Sequence, residues 1–305
     1  MTEPPCPFAD LALSRRLERA EALSNARFVD ACARLFPDRG STWIEVAGAR
    51  AMFDGPSSPM TQTFGLGLFQ PATAADLDAI EAFYAERGAP VFHEVSPLAD
   101  AGLPALLAGR GYRPFEFSSV LYRPIDRTAP DSAGLKARTT PEDDARKGKA
   151  DPTARTTPEG ADVVQAFRPA SVRVRLIERG EEELYARISA AGWSEFGLGD
   201  FILEIGRVSG VADGLRLFLA ELDGTPIAAG ALGLCDGVAH LAGASTIPEG
   251  RKRGAQLALL DHRLRYAAVH GCDVALMAAQ PGSGSQRNAE RNGFRIAYTR
   301  IKWQR

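Results

Sequence analysis

The stretch of sequence that decides the fold spans residues 246 to 256 and reads Thr246-Ile247-Pro248-Glu249-Gly250-Arg251-Lys252-Arg253-Gly254-Ala255-Gln256. Residues 238–247 before it are mostly apolar, and a helix-forming segment with Leu257, Leu260, Leu264 and Ala268 on one face follows it. This pattern predicts a strand that ends, a tight turn and a helix that begins. Free backbone N–H groups at a helix N-terminus bind anions, and the small residues Gly254 and Ala255 let a phosphate approach the backbone. We therefore predict a phosphate site here, with an ordinary basic turn as the alternative.

The rest of the second half predicts a mixed sheet flanked by helices. Residues 172–177 alternate with period two, as a half-buried strand does. Asp223-Gly224 lies between two apolar runs, residues 215–222 and 226–234, and this dipeptide is typical of a hairpin turn. We also expect helices at 181–191 and 201–208, a strand at 273–277, a short helix that ends near Asn292, and a final strand at 296–303.

The first half follows the same plan with weaker detail. We expect a long helix at 11–35, strands at 42–46, 49–53 and 61–69, a helix at 74–86, a strand at 91–95, a helix at 98–108 and a strand at 115–122. Gly111-Tyr112-Arg113 precedes the last of these strands, just as Gly293-Phe294-Arg295 precedes the last strand of the chain. We interpret this similarity as a diverged internal duplication.

Chain length and one unusual segment predict two domains. The chain has 305 residues, about twice the size of an ordinary domain. Residues 126–165 are rich in Pro, Thr, Ala and charged residues, and the hexapeptide Ala-Arg-Thr-Thr-Pro-Glu occurs in them twice, at 137–142 and 154–159. Such a segment buries too little apolar surface to fold on its own, so we predict a flexible linker between domains at 8–125 and 166–305.

The second half resembles the GNAT superfamily of acyl-CoA N-acyltransferases. That family places an Arg/Gln-x-x-Gly-x-Gly/Ala loop between a strand and a helix, and here Arg251, Gly254 and Gln256 take the three positions. Gln256 departs from the family pattern, which has glycine or alanine there. The helix that leads into Gly293-Phe294 matches a second family motif. The resemblance covers residues 172–305 well and the first half only in outline. It implies an α/β (α+β) fold of two GNAT-like mixed-sheet domains flanked by helices, of which the first is a degenerate copy.

The resemblance also implies acetyl-CoA as co-substrate, with no metal. Its pantetheine arm would insert between two separating strands, pair with the backbone of residues 243–247, and place its pyrophosphate on the amides of residues 251–256. The cofactor-binding residues implied in this way are Thr246, Ile247, Arg251, Lys252, Arg253, Gly254, Ala255, Gln256, Ser285 and Asn288. The equivalent turn of the first half, residues 69–73, has no glycine and no positive charge, so we expect no acyl-CoA there.

The sequence offers one candidate for the catalytic acid and several for the base. Family members often have a tyrosine acid four residues before Gly-Phe, where this chain has Ala289. Tyr298 in the following strand is the candidate substitute, although a tyrosine in a strand often only packs. An attacking amine must lose a proton, and His240, on the strand that leads to the loop, is the candidate base. A histidine buried for structural reasons is the alternative, and Glu195 and Glu204 are further candidates.

The favoured function is transfer of an acetyl group from acetyl-CoA to an amine of a small molecule or peptide by direct attack. The alternative is a non-catalytic acyl-CoA-binding or sensing protein, and a third hypothesis is aminoacyl-tRNA-dependent transfer. The net charge of −2 argues against the third, and against any nucleic-acid partner. The sequence contains no long apolar run and no signal peptide, and its four cysteines are scattered, so we expect a cytoplasmic protein without a membrane partner. The sequence leaves open whether the chain forms a homodimer.

Overall fold

The computed structural model describes residues 7–127 and 172–305, which form seven helices and eleven strands. Most of the linker predicted at 126–165 therefore lies outside the described residues. The helices are α1 Leu11–Leu35, α2 Ala74–Ala85, α3 Leu103–Gly109, α4 Glu182–Ala191, α5 Gly199–Val211, α6 Ala255–Val269 and α7 Gly284–Arg291. The strands are β1 Thr42–Val46, β2 Ala49–Phe53, β3 Gln62–Phe64, β4 Phe92–Val95, β5 Arg113–Pro124, β6 Val172–Leu176, β7 Leu215–Leu222, β8 Thr225–Cys235, β9 Val238–Thr246, β10 Val274–Ala279 and β11 Arg295–Gln304.

All eleven strands belong to one mixed sheet, in the order β1-β2-β3-β4-β11-β5-β10-β9-β8-β7-β6. The final strands of the two halves are exchanged. β5, the last strand of the first half, pairs antiparallel with β10 of the second half. β11, the last strand of the chain, lies between β4 and β5 and is antiparallel to both. Each half therefore completes the sheet of the other, which the sequence did not predict.

Helices cover both faces of the second half of this sheet. α6 and α7 pack against one face through a core that includes Phe218, Leu232 and Leu241. α4 packs on the opposite face, where Tyr185 contacts Leu217 and Leu219 on alternate positions of β7. α1 runs along the same face as α4, and α2 and α3 enclose a separate core in the first half. The long α1 helix therefore joins the two halves, because it belongs to the first and packs on strands of the second.

Two predicted segments of the first half differ from the structure. The strand expected at 61–69 ends at Phe64, because Gly65 and Gly67 adopt φ values of 81° and 71°, which no strand accommodates. The helix expected at 98–108 begins only at Leu103. Ahead of it the Asp100 side chain accepts a hydrogen bond from the Gly102 amide, a local contact that competes with helix formation.

The buried face of α6 also differs from the prediction. Leu257 was expected on that face, but it is 44% exposed. Arg263 is buried instead, and its guanidinium donates hydrogen bonds to the carbonyl oxygens of Leu259, Ala231 and Ala242. Because these carbonyls satisfy the charged group, a residue type that is usually exposed is accommodated in the core.

Candidate functional site

The site begins where two parallel strands separate. β9 and β10 pair only from Val238 to His240 on β9 and from Val274 to Leu276 on β10. Beyond His240, β9 continues as a partner of β8 and β10 continues as a partner of β5. The pairing of β9 with β8 is irregular just past this point, at Gly243, whose φ is 56°. The strands therefore diverge near the end of β9, where the GNAT resemblance implies a gap.

A cavity of about 520 Å³ lies at the open end of this gap, a size typical of small-molecule sites. Its walls come from the end of α4 and the turn after it, the end of β9, the turn before α6, the first turn of α6, and α7. The lining residues are Gly192, Trp193, Phe196, Ala244, Ser245, Thr246, Gly250, Arg251, Lys252, Gly254, Ala255, Gln256, Leu257 and Asn288.

The N-terminus of α6 forms one wall and has no side-chain cap. Gly254 is the N-cap residue and has a φ of 81°. A Cβ added to Gly254 would meet no atom within 4 Å, so the space beside this residue is open to a ligand. The first helical hydrogen bond runs from the Ala258 amide to the Gly254 carbonyl, at 3.0 Å. The amides of residues 255–257 therefore have no partner within the helix. Together with the helix dipole they suit an anion such as a phosphate.

Hydrogen bonds hold two polar side chains at the cavity in place. The Arg251 guanidinium donates to the Glu195 carboxylate at 2.5 Å and to the Gly192 carbonyl at 3.4 Å. Gln256, at the position where the family pattern has a small residue, donates to the Thr246 hydroxyl at 2.8 Å. This folded-back side chain joins the end of β9 to the first turn of α6, so it forms part of the cavity wall.

The structure brings together seven of the ten residues that the sequence analysis assigned to the cofactor. Thr246, Arg251, Lys252, Gly254, Ala255, Gln256 and Asn288 line the cavity, whereas Ile247, Arg253 and Ser285 are not among the lining residues. The Ile247 amide instead donates to the Ile227 carbonyl at 3.0 Å, and its side chain packs against the core beneath α6. Arg253 and Ser285 are exposed on the surface nearby.

The candidate base His240 lies on the last pair of β9 and β10, just before the gap. Its side chain is buried, and its Nδ1 has no hydrogen-bond partner among the described residues. Burial lowers the pKa of His240, although the Glu21 carboxylate acts in the opposite direction. The imidazole is therefore neutral at pH 7 and can accept a proton.

The candidate acid Tyr298 lies on β11 and, like His240, is not among the residues that line the cavity. Its hydroxyl is buried and donates to Oε1 of Glu18 on α1, at 2.9 Å. Of the two further carboxylate candidates, Glu195 pairs with Arg251 at the cavity, and Glu204 on α5 pairs with Arg39 at 2.9 Å. The sequence analysis foresaw none of these contacts, because they join residues far apart in the chain.

Tyr298 belongs to a buried cluster of charged groups that surrounds Arg300. Arg300 approaches the carboxylates of Glu18, Glu21 and Glu94 at 3.3, 3.0 and 3.6 Å. Burial raises the pKa of Glu18 to about 7, against the attraction of Arg300. The cluster joins α1 and β4 of the first half to β11 of the second, and its carboxylates outnumber its one arginine.

The corresponding turn of the first half is built differently. Thr73 is the N-cap of α2, and its hydroxyl accepts a hydrogen bond from the Asp76 amide. The Asp76 carboxylate in turn accepts one from the Thr73 amide, at 2.8 Å. This reciprocal capping satisfies two amides and places a negative charge at the start of α2. An anionic ligand is therefore disfavoured there.

Sequence reasoning missed the aromatic wall of the cavity. Trp193 and Phe196 lie in the 3-10 turn between α4 and α5, with ring centroids 5.9 Å apart, and Phe196 is 66% exposed. Two aromatic side chains in a short connection between helices are the one signal that could have identified them. Gly192, just before them, approaches β9 so closely that a Cβ would lie 2.7 Å from Cβ of Ser245.

The described residues contain neither a metal-binding cluster nor a membrane-spanning helix. Within 7–127 and 172–305, no group of three or more His, Cys, Asp or Glu side chains is placed to hold a metal ion. In the same residues, no helix combines the length and the apolar character required to cross a bilayer.

Comparison with known proteins identifies the fold. A GCN5-related N-acetyltransferase from Kribbella flavida matches 93% of this chain and 95% of its own length, at 16% identity and a TM-score of 0.58. A tandem GNAT protein from the clavulanic acid biosynthesis pathway matches 84% of this chain and 78% of its own length, at 15% identity and a TM-score of 0.52. No family model and no curated protein matches the sequence. These structures show that the chain has a tandem GNAT-like fold, the fold that the sequence analysis expected.

Proposed function

We propose that the chain is an acyl-CoA-dependent N-acyltransferase that moves an acetyl group from acetyl-CoA to an amine of a small molecule or peptide. The observation that carries this proposal is the cavity at the separation of β9 and β10, one wall of which is the uncapped N-terminus of α6. A strand gap beside an anion-binding helix end suits a ligand with a long arm and a pyrophosphate. The GNAT fold is consistent with this activity.

Different residues around the cavity would bind different parts of acetyl-CoA. The amides at the start of α6 and the cations Arg251 and Lys252 would hold the pyrophosphate, with Arg253 close by. The end of β9 would pair with the pantetheine amides, since its edge toward β10 is free of that strand beyond His240. Thr246, Gln256 and Asn288 would complete the wall. Ile247 and Ser285 do not line the cavity, and we assign them no direct contact with the cofactor.

Proton handling is assigned to His240. His240, neutral and at the closed end of the gap, would take one proton from the ammonium form of the acceptor. The amine nitrogen then bonds to the thioester carbonyl carbon and the C–S bond breaks. The nitrogen then loses its second proton, which the leaving CoA thiolate takes up, and His240 passes the first to solvent, so the overall products are the amide, free CoA thiol and one proton. We assign Tyr298 to the Arg300 cluster rather than to the acid role, because its hydroxyl is held by Glu18.

Only the second half is proposed to bind acyl-CoA. The capped start of α2, with Asp76 on it, cannot offer the first half an equivalent anion site. The first half instead supports the second through the exchanged strand β5 and through α1. We retain residues 8–125 and 166–305 as the two evolutionary units, although they share one sheet.

A thiol-release assay with acetyl-CoA and a panel of amines tests this function. Wild type should release CoA in an amine-dependent manner, and at sub-saturating acetyl-CoA the Arg251→Glu, Arg253→Glu double variant should release it about tenfold more slowly or worse while the fold persists. Binding of acetyl-CoA without release on any amine would favour the non-catalytic binding protein. Absence of binding would contradict both functions.

A further inference from the structure

Helix α4 runs along the part of β9 that has separated from β10. At its C-terminal end, Gly192 lies so close to the strand that an added Cβ would be 2.7 Å from Cβ of Ser245. One turn earlier, the Ser189 carbonyl accepts a hydrogen bond from the Ser245 hydroxyl at 3.0 Å. A further turn back, the Tyr185 hydroxyl lies 3.7 Å from the position of a Cβ on Gly243. These residues of α4 are three and four apart, so one face of the helix follows β9 from the cavity into the gap.

The Tyr185 side chain is held in place by its ring and not by its hydroxyl. The ring packs among Leu217, Leu219, Ala229 and Ala231, and the residue is only 2% exposed. The hydroxyl makes no hydrogen bond to any of the described residues. It is also not one of the enclosed side-chain atoms that lack a partner, so it reaches solvent-accessible space. Gly243 beside it is exposed, and the hydroxyl is therefore free to donate a hydrogen bond to a ligand in the gap.

A buried positive charge lies on the opposite face of the sheet at the same stretch of β9. The guanidinium of Arg263 on α6 occupies the space beside Gly230, with Cζ 3.2 Å from the position of a Cβ there. One of the carbonyls that it binds belongs to Ala242, next to Gly243. No carboxylate of the described residues forms an ion pair with it. Burial lowers the pKa of Arg263 to about 10, so the group is still a cation at neutral pH.

This arrangement favours a ligand atom that becomes negative. A buried cation without a counter-charge is costly, and a negative charge that develops near it is stabilised. Tyr185 adds a donor that needs no rearrangement of a protein partner before it turns to the ligand. Donors and charges fixed in advance around a developing negative charge are the usual means of stabilising an oxyanion.

We propose that the Tyr185 hydroxyl donates a hydrogen bond to the carbonyl oxygen of the acyl thioester and stabilises the negative charge that this oxygen acquires during transfer. The inference rests on the proposed function, in which the arm of acetyl-CoA extends along β9 and brings its thioester end past Gly243. When the amine nitrogen bonds to the carbonyl carbon, the π electrons of C=O move onto oxygen. They re-form the double bond as the C–S bond breaks.

Tyr185 keeps its proton through both steps. Burial raises the pKa of its hydroxyl, against the attraction of Arg263, so the group is protonated at neutral pH. It is therefore a hydrogen-bond donor and not the acid for the leaving thiolate, and the proton balance of the reaction is unchanged.

Infrared difference spectroscopy of bound acetyl-CoA, labelled with ¹³C at the thioester carbonyl, tests the contact without reference to turnover. A hydrogen bond lowers the stretching frequency of a carbonyl, so Tyr185→Phe should raise it. The melting temperature should not fall, because the oxygen that is removed has no protein partner. Tyr84→Phe is the matched control: its hydroxyl lies 3.1 Å from that of Thr63, in the first half. That change should lower the melting temperature and leave the carbonyl frequency alone.

Affinity and rate give two further readouts. Tyr185→Phe should weaken binding of acetyl-CoA about two- to tenfold, the loss expected for one hydrogen bond. Binding of CoA, which lacks the thioester, should not change. The kcat of acetyl transfer should fall on the order of a hundredfold, a typical loss for one oxyanion donor.

The outcomes separate this inference from the proposed function. The same carbonyl frequency in wild type and Tyr185→Phe, with equal affinities for acetyl-CoA, would overturn the inference even in an active enzyme. An equal loss of melting temperature in Tyr185→Phe and Tyr84→Phe would also count against it, because the hydroxyl would then have a structural partner. A shifted frequency without turnover on any amine would support the contact and contradict the transferase function. Failure of acetyl-CoA to bind would overturn both.

Discussion

At the scale of single residues, the contact between Arg251 and Glu195 bears most directly on the proposed cofactor site. A pyrophosphate bound at the start of α6 would compete with the Glu195 carboxylate for the same guanidinium. Both side chains are partly exposed, so the ion pair contributes about 1 kcal/mol or less. Removing the Glu195 charge would therefore free Arg251 for the proposed ligand at little cost in stability.

We predict that Glu195→Gln tightens acetyl-CoA binding by up to about fivefold, the factor equivalent to about 1 kcal/mol. Glu204→Gln is the matched control, because its partner Arg39 does not line the cavity, whereas Arg251, the partner of Glu195, does. Calorimetry at low ionic strength measures the difference, and added salt should reduce it. Weaker binding in Glu195→Gln would mean that Glu195 supports the site instead.

The buried Glu18 predicts an unusual pH dependence. Burial raises its pKa from 4.5 to about 7, so the folded protein binds a proton that the unfolded chain has lost between those values. The sign follows from linkage: the protonated form stabilises the fold below pH 4.5, and this contribution is lost as pH rises through 7. Glu18→Gln removes the titrating group.

Denaturant unfolding should therefore show that Glu18→Gln gains stability relative to wild type as the pH rises from 5 to 8. The difference between the two proteins isolates Glu18 from the other titrating groups. A constant difference across this range would show that Glu18 stays ionised in the folded protein.

At the scale of the element, the N-termini of α2 and α6 explain why we propose an anion site in the second half only. The N-terminus of α2 is capped by Thr73 and Asp76, whereas α6 begins at a glycine in the left-handed region and has no side-chain cap. Sequence could predict this contrast, because a Thr-x-x-Asp pattern and a Gly-Ala start are local signals. It could not predict that Arg251 would meet Glu195 or that Trp193 would form a wall, since those contacts depend on how α4 packs on β9.

We predict that Gly254→Ala weakens acetyl-CoA binding while Gly282→Ala does not. Both glycines have positive φ, 81° and 75°, and neither has an atom within 4 Å of an added Cβ. Each substitution should cost about 1–2 kcal/mol of stability, because an L residue strains that backbone. Only Gly254 lines the cavity, so only its change should alter affinity. Equal affinities in calorimetry would mean that this turn does not hold the ligand.

At the scale of the whole molecule, the exchanged strands make the two halves depend on each other. The sequence predicted nearly every strand of both halves, because alternation and turn residues are local. It could not reveal that β5 pairs with β10 and that β11 lies between β4 and β5, since either half could have paired its own strands. The buried Arg300 cluster adds ion pairs that form only when both halves are present, because Arg300 comes from the second half and its carboxylate partners from the first.

We predict that a chain cut at a protease site inserted between residues 128 and 171 yields two fragments that stay together. Size-exclusion chromatography should show co-elution under native conditions and separation in urea. A chain whose halves fold independently would release two compact fragments without denaturant. That result would contradict the exchange of β5 and β11.

The central claim, one acyl-CoA site at the start of α6, is tested most directly by calorimetric titration with acetyl-CoA. We predict one site per chain. We also predict about tenfold weaker binding or more in the Arg251→Glu, Arg253→Glu double variant, because two cations beside the proposed phosphate site become anions. Asp76→Lys, at the start of α2, should leave affinity unchanged. Two sites per chain, or wild-type affinity in the double variant, would contradict the claim.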